Sequence, residues 1–129
     1  MIEHPSRHRT LLVIEDNDDA RAAMTALLEL EGYLVAGAAD GQEGIDVARA
    51  KGPDIALIDI GLPGIDGYEV ARRIRTLLGS SIFLVALTGY GEPEDRRRAT
   101  EAGFDAHVVK PVDPAELTAI LSSGQKRPP

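Results

Sequence analysis

Ile55-Ala56-Leu57-Ile58-Asp59 reads as a strand that is apolar on both faces and delivers a carboxylate at its carboxyl end. Apolar residues that run without alternation mark a strand covered on both sides, as in a parallel sheet packed between helices. Three other stretches share the pattern: Leu11-Leu12-Val13-Ile14, Ile82 to Leu87, and Ala106 to Val109, where only His107 interrupts. Tyr33 to Ala39 is a weaker fifth strand, expected nearer an edge. Helices belong in the gaps. Asp40 with Glu43, Asp66 with Glu69 and Asp113 with Glu116 have the spacing of a capping box, in which the Asp accepts from first-turn amides and the Glu reaches back. Pro114 and Pro93 suit first helical positions, and Gly32, Gly52 and Gly103 fall where helices end. Met24/Leu27/Leu28, Val70/Ile74/Leu77 and Leu117/Ile120/Leu121 recur at helical spacing and should face the sheet. Five strand–helix units joined by right-handed crossovers predict one doubly wound five-stranded parallel α/β sheet, with strand order 2-1-3-4-5 favoured.

The 129 residues, 43% of them hydrophobic, suit one core, and with aromatics at 4% that core must be aliphatic. Residues 1–9, polar and basic with Pro5, are expected to be a loose N-terminal extension; residues 10–122 form the domain, and 123–129 a frayed tail. Without cysteine, disulfides, thiolate zinc sites and Cys nucleophiles are excluded. No apolar run approaches the roughly 20 residues that span a bilayer, so no membrane insertion is expected and a cytoplasmic location is the default. A formal net charge of −7 argues against direct nucleic-acid binding. The basic run Arg96-Arg97-Arg98 reads as a solvated helix face. The crowding of Glu15, Asp16, Asp18 and Asp19 into five positions requires another reason.

Ligands of open α/β sheets bind outside the carboxyl ends of the strands. Glu15-Asp16 closes the first strand, Asp59 the third, Thr88 the fourth, and Lys110-Pro111 the fifth. Clustered carboxylates repel unless a cation neutralises them, and an all-oxygen set suits a hard ion. Mg²⁺ fits, since it takes one or two carboxylates and keeps waters and phosphate oxygens; Mn²⁺ is an alternative, and calcium competes, although no EF-hand loop is present. Asp16, Asp59 and the carbonyl of Gly61 are candidate ligands, with Glu15 acting through water. An ionised carboxylate beside such an ion can attack phosphorus, Lys110 can neutralise phosphoryl oxygens, and Thr88 can hydrogen-bond one of them.

Taken together, Glu15-Asp16, Asp59, Leu62-Pro63-Gly64-Ile65-Asp66-Gly67, Thr88 and Lys110-Pro111 resemble the receiver domain of two-component response regulators, over roughly residues 10–122. The resemblance implies a flavodoxin-like fold, Mg²⁺ dependence, and phosphotransfer from a histidine kinase or histidine phosphotransfer domain. It makes Asp59 the phosphoacceptor, Thr88 the switch hydroxyl and Lys110 the phosphate-contacting lysine, with Pro111 following a cis peptide bond. It also implies a signalling switch that assists its own phosphorylation and dephosphorylation, rather than an enzyme. The responding surface would be the face of the fourth helix, fifth strand and fifth helix, in a monomer or weak dimer. The donor would meet the first helix, including Arg21 and Met24, and the loop around Pro111. Leu87-Thr88-Gly89-Tyr90-Gly91 and Ala102-Gly103-Phe104-Asp105 resemble receivers at the end of hybrid sensor kinases. A stand-alone regulator and a domain of a larger protein both fit.

One position departs from the pattern. Many relatives carry Tyr or Phe three residues before the lysine, where this chain has His107. Thr88 is therefore expected to move on phosphorylation with only a weak aromatic half of the relay, against the alternative of a partly buried, hydrogen-bonded imidazole. Gly61 and Tyr90, two residues beyond Asp59 and Thr88, should tune water access. Three rival functions remain. An aspartate-nucleophile phosphatase typically needs a second Asp where Gly61 stands. A flavin or dinucleotide site needs a phosphate cradle where Glu15-Asp16-Asn17-Asp18 stands. An interaction module without phosphorylation is distinguished only by experiment.

Overall fold

A computed structural model describes residues 9–89 and 93–125; expectations placed on residues 1–8, on Tyr90 and Gly91, and on 126–129 lie outside the described residues. The elements alternate as β1 (Thr10–Ile14), α1 (Asp18–Leu30), β2 (Leu34–Ala38), α2 (Gly41–Lys51), β3 (Ile55–Asp59), α3 (Gly67–Leu78), β4 (Phe83–Thr88), α4 (Pro93–Ala102), β5 (Ala106–Val109) and α5 (Pro114–Gln125). All strand pairs are parallel, in the order β2-β1-β3-β4-β5. This is the doubly wound parallel sheet expected from the apolar runs, in the flavodoxin-like arrangement that the resemblance implied.

Side chains alternate across a strand, so each run splits between two cores. Leu12, Ile14, Ala56, Ile58, Leu84 and Ala86 pack with α2, α3 and α4 through Ile45, Val70, Ile74 and Ala99. Leu11, Val13, Ile55, Leu57, Val85 and Leu87 pack with α1 and α5 through Leu28, Leu117 and Leu121. Strand β2 lies at an edge, and Leu34 there is exposed.

Several local expectations change. Leu77 is exposed; the buried stripe of α3 is Val70, Ala71 and Ile74, with Leu78 packed against it. Counting four rather than three residues past Ile74 keeps the stripe on one face of a 3.6-residue helix. Asp40 and Asp66 accept from the amides of Glu43 and Glu69. Glu43 reaches back to the Ala39 amide, whereas Glu69 turns outward to Arg72 and Arg73, so the second box is only half formed. Asp113 accepts from the Ala115 amide. Helix α5 extends to Gln125, into the stretch read as tail. Gly124 is buried there, and a Cβ on it would lie 2.5 Å from the Phe83 ring.

Arg75 ties the amino-terminal ends of β4 and β5 to α3. Its guanidinium donates to the carbonyls of Gly79 (2.6 Å), Ile82 (2.8 Å) and Gly103 (2.6 Å), and pairs with Asp105 at 2.8 Å. The Asp105 carboxylate in turn accepts from the Leu84 amide. Removing a planar donor shared among so many acceptors leaves several carbonyls without a partner. Arg75→Ala is expected to cost about 2–4 kcal/mol in urea unfolding, with little rescue by Arg75→Lys. A loss below about 0.5 kcal/mol, the usual scale of surface substitutions, would contradict that role.

Candidate functional site

Strand register assembles the site. Ile14 lies opposite Ile58, so Glu15 and Asp59, each one residue further, point the same way from adjacent strands. Asp59 pairs with Leu87 and Thr88 with Val109, which places Thr88 and Lys110 at the same rim. Glu15, Asp59 and Thr88 are the buried polar or charged side chains among the described residues, and Asp16 is exposed. One carboxylate oxygen from each of Glu15, Asp16 and Asp59 falls within 4.8 Å of the others.

Buried carboxylates must be paired or hydrogen-bonded. Lys110 Nζ lies 3.2 Å from Asp59 Oδ1 and 3.4 Å from Glu15 Oε1. Asp59 Oδ1 also accepts from the Gly61 amide at 3.0 Å, and Glu15 Oε2 from the Asn17 amide at 3.1 Å. Asn17 has a second task, since its side chain caps α1 by accepting from the Ala20 amide. Arg21 Nη1 donates to the Glu15 carbonyl at 2.8 Å while Nη2 pairs with Asp18, which pins the loop from α1. Behind Asp59, the chain folds back so closely that a Cβ on Gly67 would lie 2.5 Å from the Asp59 carbonyl oxygen. Only glycine allows α3 to start there. The Lys110 amide donates to the Thr88 carbonyl at 2.7 Å, and the Lys110–Pro111 peptide is cis.

Residues 11–122 match the family model of the response regulator receiver domain. The chain belongs to that family. The receiver is 39% identical over 91% of its length to the transcriptional regulatory protein AfsQ1 of Streptomyces coelicolor, and the match spans 53% of that regulator. A putative response regulator from Chloroflexus aurantiacus superposes with a TM-score of 0.86 at 31% identity, covering 92% of this chain and 98% of the other. The receiver domain of the sensor histidine kinase PA1611 from Pseudomonas aeruginosa, solved with magnesium in its active-site cleft, superposes at 0.82 with 33% identity, covering 90% of this chain and 96% of its own.

Two side chains of the receiver's pocket escape a sequence reading. Tyr68, in the first turn of α3, is buried and lines the same cavity as Asp59, Gly61, Thr88 and Lys110. Arg98 lines it too, with its guanidinium carbon 4.1 Å from the centre of the Tyr68 ring. All three arginines of the Arg96-Arg97-Arg98 run are exposed, as a solvated helix face requires, and they differ in their neighbours: Arg97 pairs with Glu94, whereas Arg98 also borders the pocket. No linear motif marks this contact, because it joins α3 to α4. His107 is half-buried and shares a small cavity of about 10 Å³ with Thr88, Tyr68 and Ala99.

Burial, the largest influence, pushes the Glu15 carboxyl above its ordinary 4.5, and the Asp59 charge adds to it, against the Asn17 amide and Lys110. Burial alone would lower Lys110, but its hydrogen bond and charge interaction with Asp59, together with Glu15, raise it above 10.5. Lys110 is therefore a fixed cation at neutral pH, contributing stability that is lost only as pH rises through its elevated folded value. For Glu15, the folded state binds the proton more tightly than the unfolded state. Its contribution is present below pH 4.5 and is lost as pH rises through the folded value. Glu15→Gln is accordingly expected to raise the thermal midpoint at pH 7 without divalent ions, the gain fading below pH 4.5. A lowered midpoint at pH 7 would show that pairing with Lys110 outweighs desolvation.

Proposed function

We propose that this receiver is a Mg²⁺-dependent phosphoacceptor switch, with Asp59 as the nucleophile. The observation that carries the proposal is the convergence of three carboxylates from two strands within 4.8 Å, with Lys110 bridging two of them. An all-oxygen donor set, two members of it buried and balanced by a single ammonium among the described residues, fits a small hard divalent cation. Asp16, Asp59 and the Gly61 carbonyl would hold the ion, with Glu15 acting through water, and Mn²⁺ would substitute. When bound, the ion neutralises charge on the phosphoryl oxygens.

The protein's own groups do the rest. Asp59 needs no general base, because an ionised carboxylate is already nucleophilic. Its Oδ1 accepts from both Lys110 and the Gly61 amide, contacts that hold the carboxyl plane. A carboxylate oxygen of Asp59 bonds to phosphorus as the phosphohistidine P–N bond breaks, and the imidazole nitrogen keeps the electron pair. Lys110 steadies the developing charge, and the Thr88 hydroxyl donates to a phosphoryl oxygen. The donor is a histidine kinase or histidine phosphotransfer domain, met at α1 and the loop around Pro111. Hydrolysis of the acyl phosphate, assisted by the same pocket, resets the switch.

The response travels to the face formed by α4, β5 and α5. Thr88 moves toward the phosphoryl group, and His107 contributes little to the relay. Two features support this reading: the cavity shared by Thr88 and His107 is near the size of one water, and the imidazole has no hydrogen-bond partner among the described residues. Structures with and without beryllofluoride test it, and an unchanged Thr88 position would reject it.

Incubation with acetyl phosphate and Mg²⁺, followed by intact mass, tests the whole proposal. One hydroxylamine-labile phosphoryl group should appear and be absent in Asp59→Asn, and Lys110→Ala should slow its formation by about 10²-fold or more, the scale of losing one preorganised charge contact. An adduct that persists in Asp59→Asn, or no adduct with any donor, would leave a passive interaction module.

A further inference from the structure

We infer that Arg98 is a second phosphate-binding cation of this pocket, seated on the Tyr68 ring and engaging the phosphoryl oxygens during transfer to Asp59. The inference rests on the phosphoacceptor reading and adds to it a specificity-determining residue on α4.

Three observations carry it. First, Arg98 lines one cavity with Asp59, Thr88, Gly61 and Lys110, so it approaches the pocket from α4 rather than from a strand end. Second, its guanidinium carbon lies 4.1 Å from the centroid of the Tyr68 ring, so this exposed arginine rests on a residue that is only 5% exposed. A guanidinium stacked by its face keeps its N–H edges available, and those edges match two phosphate oxygens at once. Third, Arg98 has no carboxylate within ion-pairing distance among the described residues, although Asp95 lines the same cavity. Arg97, its neighbour in sequence, is paired with Glu94.

Charge supplies the reason for such a group. With Glu15, Asp16 and Asp59 ionised and Lys110 protonated, the cluster carries two net negative charges, which a divalent ion only cancels. An incoming phosphoryl donor, itself anionic, then meets a neutral site. Arg98 makes the site attractive to it. In the transfer, an Asp59 oxygen bonds to phosphorus, the P–O bond of acetyl phosphate breaks, and acetate leaves with the electron pair. Arg98 neither gives nor takes a proton and acts only on the phosphoryl oxygens.

Acetyl phosphate titrations at saturating Mg²⁺, read by intact mass against time, distinguish this role from simple helix packing. In Arg98→Gln the half-saturating acetyl phosphate concentration should rise about tenfold, the scale of one charge-assisted hydrogen bond. Arg98→Lys should recover part of it. Calorimetric affinity for beryllofluoride should fall with the same factor in Arg98→Gln, while Mg²⁺ affinity without donor is retained and the thermal midpoint falls only slightly, by the loss of the contact with the Tyr68 ring. Equal donor titration and beryllofluoride affinity in Arg98→Gln and the unsubstituted protein would overturn the inference and leave Asp59 phosphorylation standing. A parallel tenfold loss of Mg²⁺ affinity would overturn it as well, because the effect would then be a general one. Failure of the unsubstituted protein to form any adduct would overturn both this inference and the reading beneath it.

Discussion

Like charges held together against their repulsion are the constraint around which this receiver is organised. Two carboxylates about 4 Å apart repel by about 4 kcal/mol at the effective dielectric of a protein surface, and Glu15, Asp16 and Asp59 converge within 4.8 Å. Loops alone would relax by swinging such groups apart. Here Glu15 and Asp59 continue strands whose preceding residues are fully buried, so separating them would break the register of Ile14 with Ile58. The aliphatic sheet thus supplies the stability that tolerates an electrostatically unfavourable rim. Lys110, reaching in from the fifth strand, relieves part of the repulsion and leaves the remainder for a ligand.

The two ends of the sheet are built for different tasks. At the amino-terminal end, Arg75 gathers the end of α3, the entry to β4 and the entry to β5 through carbonyls and Asp105. At the carboxyl end, α3 and α4 meet through the stack of Arg98 on Tyr68, and small cavities surround Thr88 and His107. A shared guanidinium network resists rearrangement at the amino-terminal end, and the space beside Thr88 and His107 at the other end, about 10 Å³, is no larger than one water needs.

Much of this was legible in residue order. The continuous apolar runs announced buried parallel strands, and the acids, hydroxyl and ammonium that close them named the rim, because a strand's end is readable from where its apolar run stops. The capping aspartates at positions 40, 66 and 113 were readable for the same local reason. Less legible were choices among partners of similar quality. Glu69 was as well placed to complete its cap as to bind Arg72 and Arg73, and it took the arginines. Asn17 as the cap of α1 was hidden among the neighbouring acids, each of which is an acceptable cap in isolation.

From the sequence alone came the fold class and the identity of the residues at the rim. These follow from periodicity and from chain direction, which are properties of a linear string, whereas the strand order, favoured beforehand, is fixed only by which strands pair. Tertiary structure decided which of the charged side chains meet. That Lys110 bridges Asp59 and Glu15, that Arg75 is a clamp and Arg98 a pocket residue, and that Leu77 faces outward all depend on distances between segments far apart in the chain. Coulombic and stacking energies fall off over a few ångströms, so the same arginine is a solvated charge or a ligand-facing one according to where a neighbouring helix packs.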